Sequence, residues 1–470
     1  MKIEQIYTGC LAQGAYYIQS GGEAAIVDPL REVAPYLERA EKDGVKIKYI
    51  FETHFHADFV SGHLTLAEKT GAPIIYGPMA QPSFDAYIAK EEEVFQLGEI
   101  SIKVLHTPGH TMESTTYLVI DKAGKAHAIF SGDTLFLGDV GRPDLAQKAA
   151  NMTKEDLAAL LYDSLRQKIM PLPDEVIVYP AHGAGSACGK NMMKETVDTL
   201  GNQKQVNYAL RADMTKAEFI QEVTHGLLPP PAYFPLNVKM NKEGYDSIDK
   251  VLEKGRHALT PRAFEAAANE TGAVILDVRH QSDFAECHIP RSIFIGLKGS
   301  FAPWVGALIK DTAQAILLVT EEDKVEEALT RLSRVGFDHV IGYLEGGVEV
   351  WKADGRETDQ VLSIPATELA DILKAHPASP VVDVRKMTEY LSEHIINAEN
   401  HPLSTLNDHL TQLPKETTFY VHCAGGYRSM IASSMLKARG FHNLVEVAGG
   451  FKAIKETEIA VSDYVCPSTL

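Results

Sequence analysis

Long apolar runs are absent from this chain of 470 residues. No stretch approaches the roughly 18 consecutive apolar residues of a membrane-spanning helix. The opening MKIEQIYTG lacks the hydrophobic core of a secretory signal. Positive charge is scarce as well: 45 Lys and Arg face 63 Asp and Glu, a net charge of −18. That balance argues against a non-specific nucleic-acid binder and against a basic membrane-docking surface. Cysteine is sparse and scattered (Cys10, Cys188, Cys287, Cys423, Cys466), odd in number and without a C-x-x-C pair, so no disulfide framework is expected. Reduced thiols and a cytoplasmic location are the expectation.

What is present is ordinary core material. Hydrophobic residues make up 45% of the chain, enough for several cores, and the length calls for about three domains. The first block, residues 1–228, alternates strand-like runs (24–27, 49–53, 100–105, 116–120, 128–130 and 176–179) with helical stretches such as 154–167. Many of these runs end at a His or Asp, the pattern of α/β layers with a site at the strand ends. Pro229-Pro230-Pro231 and then Tyr233-Phe234-Pro235 cannot continue a helix; 229–254 is expected as a stiff linker whose aromatics pack on a domain. Beyond it the chain repeats itself. Ile275-Leu276-Asp277-Val278-Arg279 is echoed by Val381-Val382-Asp383-Val384-Arg385, His288-Ile289 by His394-Ile395, Gly336-Phe337 by Gly440-Phe441, and Gly346-Gly347 by Gly449-Gly450. Two further α/β domains are expected, at 255–357 and 363–470, each with a mostly parallel sheet.

The segment His54-Phe55-His56-Ala57-Asp58-Phe59 follows an apolar run and has the donors of a metal-binding loop. In an extended chain residues i and i+2 project to one side, so His54 and His56 can converge on one ion. A second ion would need another nitrogen or oxygen beside Asp58, and position 59 offers a phenyl ring. Three more segments place donor residues at strand-to-loop boundaries: Thr107-Pro108-Gly109-His110, Ser131-Gly132-Asp133-Thr134 and Pro180-Ala181-His182-Gly183. Any one of these histidines alone reads as a hydrogen-bonded core or surface residue. Four donor segments in sequence order, three of them marked by glycine, together point to a metal site. His63, His106 and His127 lack that context and are assigned to structure.

H-x-H-x-D, T-P-G-H-T, S-G-D-T-L-F and P-A-H-G, in this order, resemble the metallo-β-lactamase superfamily, which implies an αββα sandwich. Hydrolase members such as glyoxalase II carry Asp-His where this chain has Asp58-Phe59. Without that imidazole the chain resembles the persulfide dioxygenase branch, where two His and one Asp hold a single Fe(II). The resemblance assigns those ligands to His54, His110 and Asp133. His56, Asp58 and His182 then orient water or the ligands by hydrogen bonds, or serve as ligands as in two-zinc relatives. Two imidazoles and a carboxylate on one face leave positions open for O₂ and a substrate sulfur. Zinc, with thioester hydrolysis, is the alternative. Arg142, in Gly141-Arg142-Pro143-Asp144, matches the family's binder of the substrate's carboxylate. Cys188 is either a sulfur acceptor near the metal or a small buried hydrophobe.

Thr418–His422 reads as a strand ending at Cys423, and Ala424-Gly425-Gly426-Tyr427-Arg428-Ser429 leads into a helix at 430–439. Loop N–H groups, the helix dipole and the Arg428 charge all favour the thiolate. The loop resembles the rhodanese active site, which implies a Cys423 nucleophile, assistance from Arg428, and substrate contacts from Ala424, Gly425, Gly426 and Tyr427. Ala424 departs from the Arg that many thiosulfate-type members carry. With Val319 aligned to Val421, the first copy reads Thr320-Glu321-Glu322-Asp323 in this region, without a nucleophile, and is expected to be inactive. The whole chain resembles a persulfide dioxygenase–rhodanese fusion. That implies oxidation of a low-molecular-weight thiol persulfide by O₂ to sulfite and thiol, coupled to sulfur transfer between thiosulfate and persulfide in sulfide detoxification. It leaves a homo-oligomer open. A non-catalytic sulfur carrier or sensor is the competing class.

Overall fold

The computed structural model describes residues 1–466, with 148 and 149 described by backbone alone. Positions 467–470 of the block expected at 363–470 therefore lie outside the described residues. The chain divides into two compact units: Met1–Lys250 together with Leu332–Phe337, and the remainder.

The first unit carries two six-stranded sheets. One takes Lys2–Thr8, Gln13–Ser20, Glu23–Val27, Lys46–Phe51, Ile74–Tyr76 and Tyr87–Ile88 in chain order, antiparallel over the first three strands and parallel thereafter. The other takes Val94–Leu97, Ile100–His106, Thr115–Ile120, Ala126–Gly132, Ile177–Pro180 and Asp198–Thr199, with one parallel pair, Ala126–Gly132 beside Ile177–Pro180. Strand alternation sorts the side chains into layers. Along Gln13–Ser20, Tyr16 and Ile18 enter a core between the sheets with Phe51, Ile102, Tyr117 and Phe130. Ala15 and Tyr17 face the other way, toward Tyr36 and Ala40 of the helix Ala34–Asp43 and Leu66 of His63–Thr70. A third core joins Ile129 and Val178 of the second sheet to Ala158 and Leu161 of the helix Lys154–Ser164. Helices, sheet, sheet, helices: this is the expected αββα sandwich. Each fully buried Phe, Ile or Leu contributes about 1.5–3 kcal/mol to holding the layers together.

The segment 229–254, read from sequence as a linker, folds into the helix Phe234–Glu243 and most of Ile248–Gly255. Pro235 sits in the first turn of Phe234–Glu243, where its missing N–H costs nothing. Tyr233, Phe234, Asn237 and Asn241 are all buried.

The second unit contains two five-stranded parallel sheets. Numbering each sheet's strands along the chain, both have the spatial order one-five-four-two-three: Ala258–Leu259, Val340–Leu344, Ile316–Val319, Val274–Asp277, Ile293–Phe294, and Ser363–Pro365, Leu444–Ala448, Phe419–His422, Val381–Asp383, Glu399–Asn400. The sequence repeat is thus a structural one. Its D-V-R element is a bracket for the fold. Arg279 pairs with Asp277 and donates from Nη2 to the Cys287 carbonyl at 2.8 Å; Arg385 pairs with Asp383 and donates to the Glu393 carbonyl at 2.8 Å. A guanidinium satisfied by a buried carboxylate and a carbonyl fixes the turn after the second strand in each copy.

Candidate functional site: metal pocket and cysteine loop

Strand ends of both sheets of the first unit deliver the pocket. His54 follows Lys46–Phe51, His110 follows Ile100–His106, Asp133 follows Ala126–Gly132 and His182 follows Ile177–Pro180. Close packing makes this convergence possible. At Gly141 an added Cβ would lie 1.9 Å from the Asp133 carbonyl oxygen and 3.0 Å from His110 Nδ1, so only glycine fits there. Gly132 has φ +53° and would clash with Thr53, which makes the residue before Asp133 obligatory glycine on two counts.

His54, His110 and Asp133 bring donor atoms within 4.8 Å of one another, all buried. His110 Nε2 lies 3.4 Å and His54 Nε2 3.9 Å from Asp133 Oδ2. Hydrogen bonds behind the rings fix which nitrogen faces inward. His110 Nδ1–H donates to the Arg142 carbonyl at 2.8 Å, since a carbonyl can only accept. Thr53 spends its hydroxyl proton on Asp28 Oδ2 at 2.9 Å, so its oxygen accepts from His54 Nδ1–H at 3.0 Å. Both Nε2 lone pairs are left for a cation. Burial, then the neighbouring His56, His110 and His182, hold His54 well below its usual range and keep it neutral. Both Asp133 oxygens are buried without a hydrogen-bond donor among the described residues. An uncompensated buried carboxylate is expensive, and this donor set fits a bound metal ion.

His56 is placed differently from the extended-chain expectation. Residues 52–60 form no strand. The His56 and His54 rings are neighbours, with centroids 4.2 Å apart, yet His56 Nε2 lies 3.1 Å from Asp28 Oδ1 and 3.6 Å from Glu52 Oε2. Glu52 is pushed well up, first by burial and then by the Asp28 charge, and also meets His63 Nδ1 at 3.0 Å. A second donor group is His56, Asp58 and His182. His182 Nε2 lies 3.4 Å from Asp58 Oδ1 and 3.6 Å from Asp133 Oδ1. Burial disfavours its protonation, but those two carboxylates outweigh burial and raise His182 well above its normal range. Phe59 is fully buried beside this group, its ring 4.3 Å from that of His56.

Arg142 is engaged within the fold. Its guanidinium hydrogen-bonds both oxygens of Asp144 at 2.7 Å and the carbonyls of Ala187 and Leu228. The residue shapes the pocket through its backbone carbonyl on His110 rather than presenting a free fork to a substrate. Cys188 is buried near Asp133 and His182, and burial, followed by the charges of Asp133 and Asp58, pushes its thiol up to about 12. Sequence reasoning missed Asn241. This fully buried side chain donates from Nδ2 to the carbonyls of His56 and Phe59, both at 2.8 Å, and its Oδ1 accepts from Ser61 N at 2.8 Å. Its only sequence signal is a polar residue on a helix otherwise read as linker.

In the second unit, Cys423 follows the strand Phe419–His422 and precedes the helix Tyr427–Ala438. Gly426 N–H donates to Cys423 Sγ at 3.2 Å, and Ser429 Oγ lies 3.5 Å from the same sulfur. Gly426 holds this turn at φ +97°. The paired glycines of the repeat support the loop from behind: a Cβ at Gly450 would lie 2.4 Å from the Cys423 carbonyl oxygen, whereas Gly425 faces open space. Arg428 does not bring an unbalanced charge, because its two terminal nitrogens pair with Glu389 at 2.6 and 2.8 Å. Tyr427 is also committed, its hydroxyl donating to the Gly296 carbonyl at 2.7 Å and its ring lying over Gly299. Strand register revises the alignment of the copies by one residue. Val319 pairs with Asp277 as His422 pairs with Asp383, so Thr320 occupies the position of Cys423.

The metallo-beta-lactamase superfamily matches residues 8–182, and the rhodanese-like domain matches 260–354 and 365–457. A solved metallo-beta-lactamase from Staphylococcus aureus subsp. aureus COL is 30% identical with a TM-score of 0.63, over 73% of this chain and 98% of that one. The chain belongs to the metallo-β-lactamase superfamily and carries two rhodanese-like domains after the superfamily domain. Curated relatives of the first domain fall into two classes. The hydroxyacylglutathione hydrolase of Rhizobium etli is 39% identical over 168 residues, 35% of this chain and 58% of that protein. The chain thus spans less than two thirds of the length of the hydrolases it matches. The mitochondrial persulfide dioxygenase ETHE1 of Homo sapiens is 27% identical over 221 residues, 47% of this chain and 78% of that protein.

Proposed function

We propose that the chain is an Fe(II) persulfide dioxygenase joined to a rhodanese-type sulfurtransferase, acting on low-molecular-weight thiol persulfides, O₂, sulfite and thiosulfate. The observation that carries this reading is the buried group His54, His110 and Asp133, together with a phenyl ring, Phe59, packed on His56 of the neighbouring donor group. His54, His110 and Asp133 would hold Fe(II), which would supply the binding of O₂ and of the anionic sulfur of a persulfide. The chain's own contribution is positional. Asp28, through Thr53, and the Arg142 carbonyl lock the two imidazoles, and burial of the whole group excludes water.

In the cysteine loop, Cys423 thiolate attacks the sulfane sulfur of thiosulfate. A new S–S bond forms, the old one breaks, and sulfite leaves with the bonding pair. A thiolate acceptor then takes the outer sulfur as a persulfide, regenerating Cys423 thiolate. Carrying both chemistries in one chain raises the effective concentration of the persulfide. The test is separability. His110→Ala is expected to abolish O₂ uptake with glutathione persulfide and leave thiosulfate-to-thiol transfer intact, while Cys423→Ser does the reverse. If neither substitution changes a turnover rate, a non-catalytic sulfur carrier or sensor replaces this reading.

A second reading rests on the grouping of His56, Asp58 and His182. With Asp133 between the two groups, they form a frame for a second ion, the arrangement a zinc-dependent thioester hydrolase requires. Native protein containing zinc and hydrolysing a glutathione thioester without O₂ uptake favours it.

A further inference from the structure

Beneath the cysteine loop lies a carboxyl group that the sulfur-transfer chemistry above does not use. Glu446, on the strand Leu444–Ala448 between Ser363–Pro365 and Phe419–His422, is buried at 2% exposure. Its Oε1 lies 2.7 Å from Ser429 Oγ, and its Oε2 2.5 Å from Ser363 Oγ. Ser429 in turn reaches Cys423 Sγ at 3.5 Å and the Gly426 carbonyl at 3.0 Å. Ser363, Ser429 and Cys423 thus form a line through one acid, from a neighbouring strand to the sulfur. The groups facing Glu446 are neutral apart from the thiol itself: Ser363 from Ser363–Pro365, Ser429 from Tyr427–Ala438, and the Gly426 turn. The charge of Arg428 in the same loop is balanced by Glu389.

A hydroxyl has one proton to give. When Glu446 is ionised it can only accept, so the Ser429 proton goes to the carboxylate and the sulfur loses that donor. When Glu446 is protonated it donates, and the Ser429 proton is free for the sulfur. We propose that Glu446 is a positioning residue of the sulfur-transfer loop, its carboxyl deciding through Ser429 whether the Cys423 anion receives a hydroxyl hydrogen bond. Linkage makes the effect reciprocal: thiolate or persulfide anion at Cys423 favours the protonated acid, and the protonated acid favours the anion. Burial raises Glu446 above the usual carboxylate range, despite the opposing hydrogen bonds from Ser363 and Ser429.

This inference rests on the reading of Cys423 as the sulfur-transfer nucleophile, and its test does not depend on turnover. The thiolate absorbance of the full-length protein near 240 nm is titrated, with the Cys423→Ser protein subtracted to remove the other cysteines. The native chain is expected to titrate over a span broader than a single proton, because thiol and acid are coupled. Glu446→Gln, whose amide donates to Ser429 at every pH, is expected to titrate as a single proton with its midpoint about one pH unit lower, a charge-assisted hydrogen bond being of that order. Ser429→Ala should abolish most of the difference between Glu446→Gln and Glu446 chains. A Glu446→Gln curve superimposed on the native one overturns the proposal, as does an undiminished shift in the Ser429→Ala background, which would make the effect a through-space charge. Absence of thiosulfate-to-thiol transfer in the native chain is a separate result, and it overturns the transferase reading instead.

Discussion

The two candidate centres are built on opposite plans. The cysteine loop is one continuous stretch between a strand and a helix, with the sulfur, its N–H donor and its hydroxyl neighbour inside seven residues, Cys423 to Ser429. The metal pocket gathers its donors from His54 to His182, each from a different strand end, and depends on partners farther away still, up to Asn241. A contiguous site is specified by local turn chemistry. A dispersed one requires the whole double sheet to close correctly, and it holds its ligands with hydrogen bonds that no local pattern announces.

Breaking each centre separately gives the largest expected effects. Asp133→Ala removes the carboxylate of the first donor group, which also neighbours His182 of the second; metal content is expected to vanish and O₂ uptake to fall below about a thousandth of native, with sulfur transfer unchanged. Metal analysis beside an oxygen electrode checks it. Cys423→Ser is expected to cut sulfur transfer by a similar factor while leaving metal content and O₂ uptake within about twofold. Any parallel loss of both activities from either substitution erases the contrast between the centres.

Intermediate effects test how far the dispersed plan extends. Asn241→Ala leaves two carbonyls and one N–H without their partner. It is expected to cost about 1–3 kcal/mol of stability and about 10- to 100-fold in metal affinity. Urea unfolding and competition with a chelator read these two quantities. Phe59→His returns an imidazole beside Asp58 and is expected to raise metal content from about one toward two ions per chain. Unchanged stoichiometry would show that Phe59 does not set the count. The smallest expected effect is none: Thr320→Cys puts a thiol at the structural equivalent of Cys423. Glu321 and Glu322 follow it where Ala424 and Gly425 follow Cys423, so in a Cys423→Ser background thiosulfate-to-thiol transfer is expected to stay absent.

Much of this was legible in the sequence because the chemistry is carried by residue types that mark their own positions. Apolar runs that end in His or Asp pointed to α/β layers with a site at the strand ends, the αββα arrangement came with the family resemblance, and the repeat follows from the paired D-V-R and G-G elements. His110, Asp133 and His182 stood out through their glycines, the family resemblance singled out His54, His110 and Asp133, and these three donors lie together. Their supports did not stand out. Thr53 and Asp28 look like any strand-end polar residues, and Asn241 lies in a segment whose prolines point to a linker. The charge of Arg142 suggested a substrate contact and that of Arg428 support for the Cys423 thiolate, yet Asp144 and Glu389 pair with them, pairings fixed by tertiary packing and invisible in spacing alone. The one-residue shift that puts Thr320 at the cysteine position came from strand register, which a loop of different length conceals.

The central claim is that the buried His54, His110 and Asp133 group serves oxygen chemistry on a persulfide. Its most direct test is protein purified without air, analysed for metal, and given glutathione persulfide in an oxygen electrode. About one iron per chain with O₂ consumption and sulfite release is the predicted result. Stoichiometric zinc with thioester hydrolysis and no O₂ uptake would contradict it.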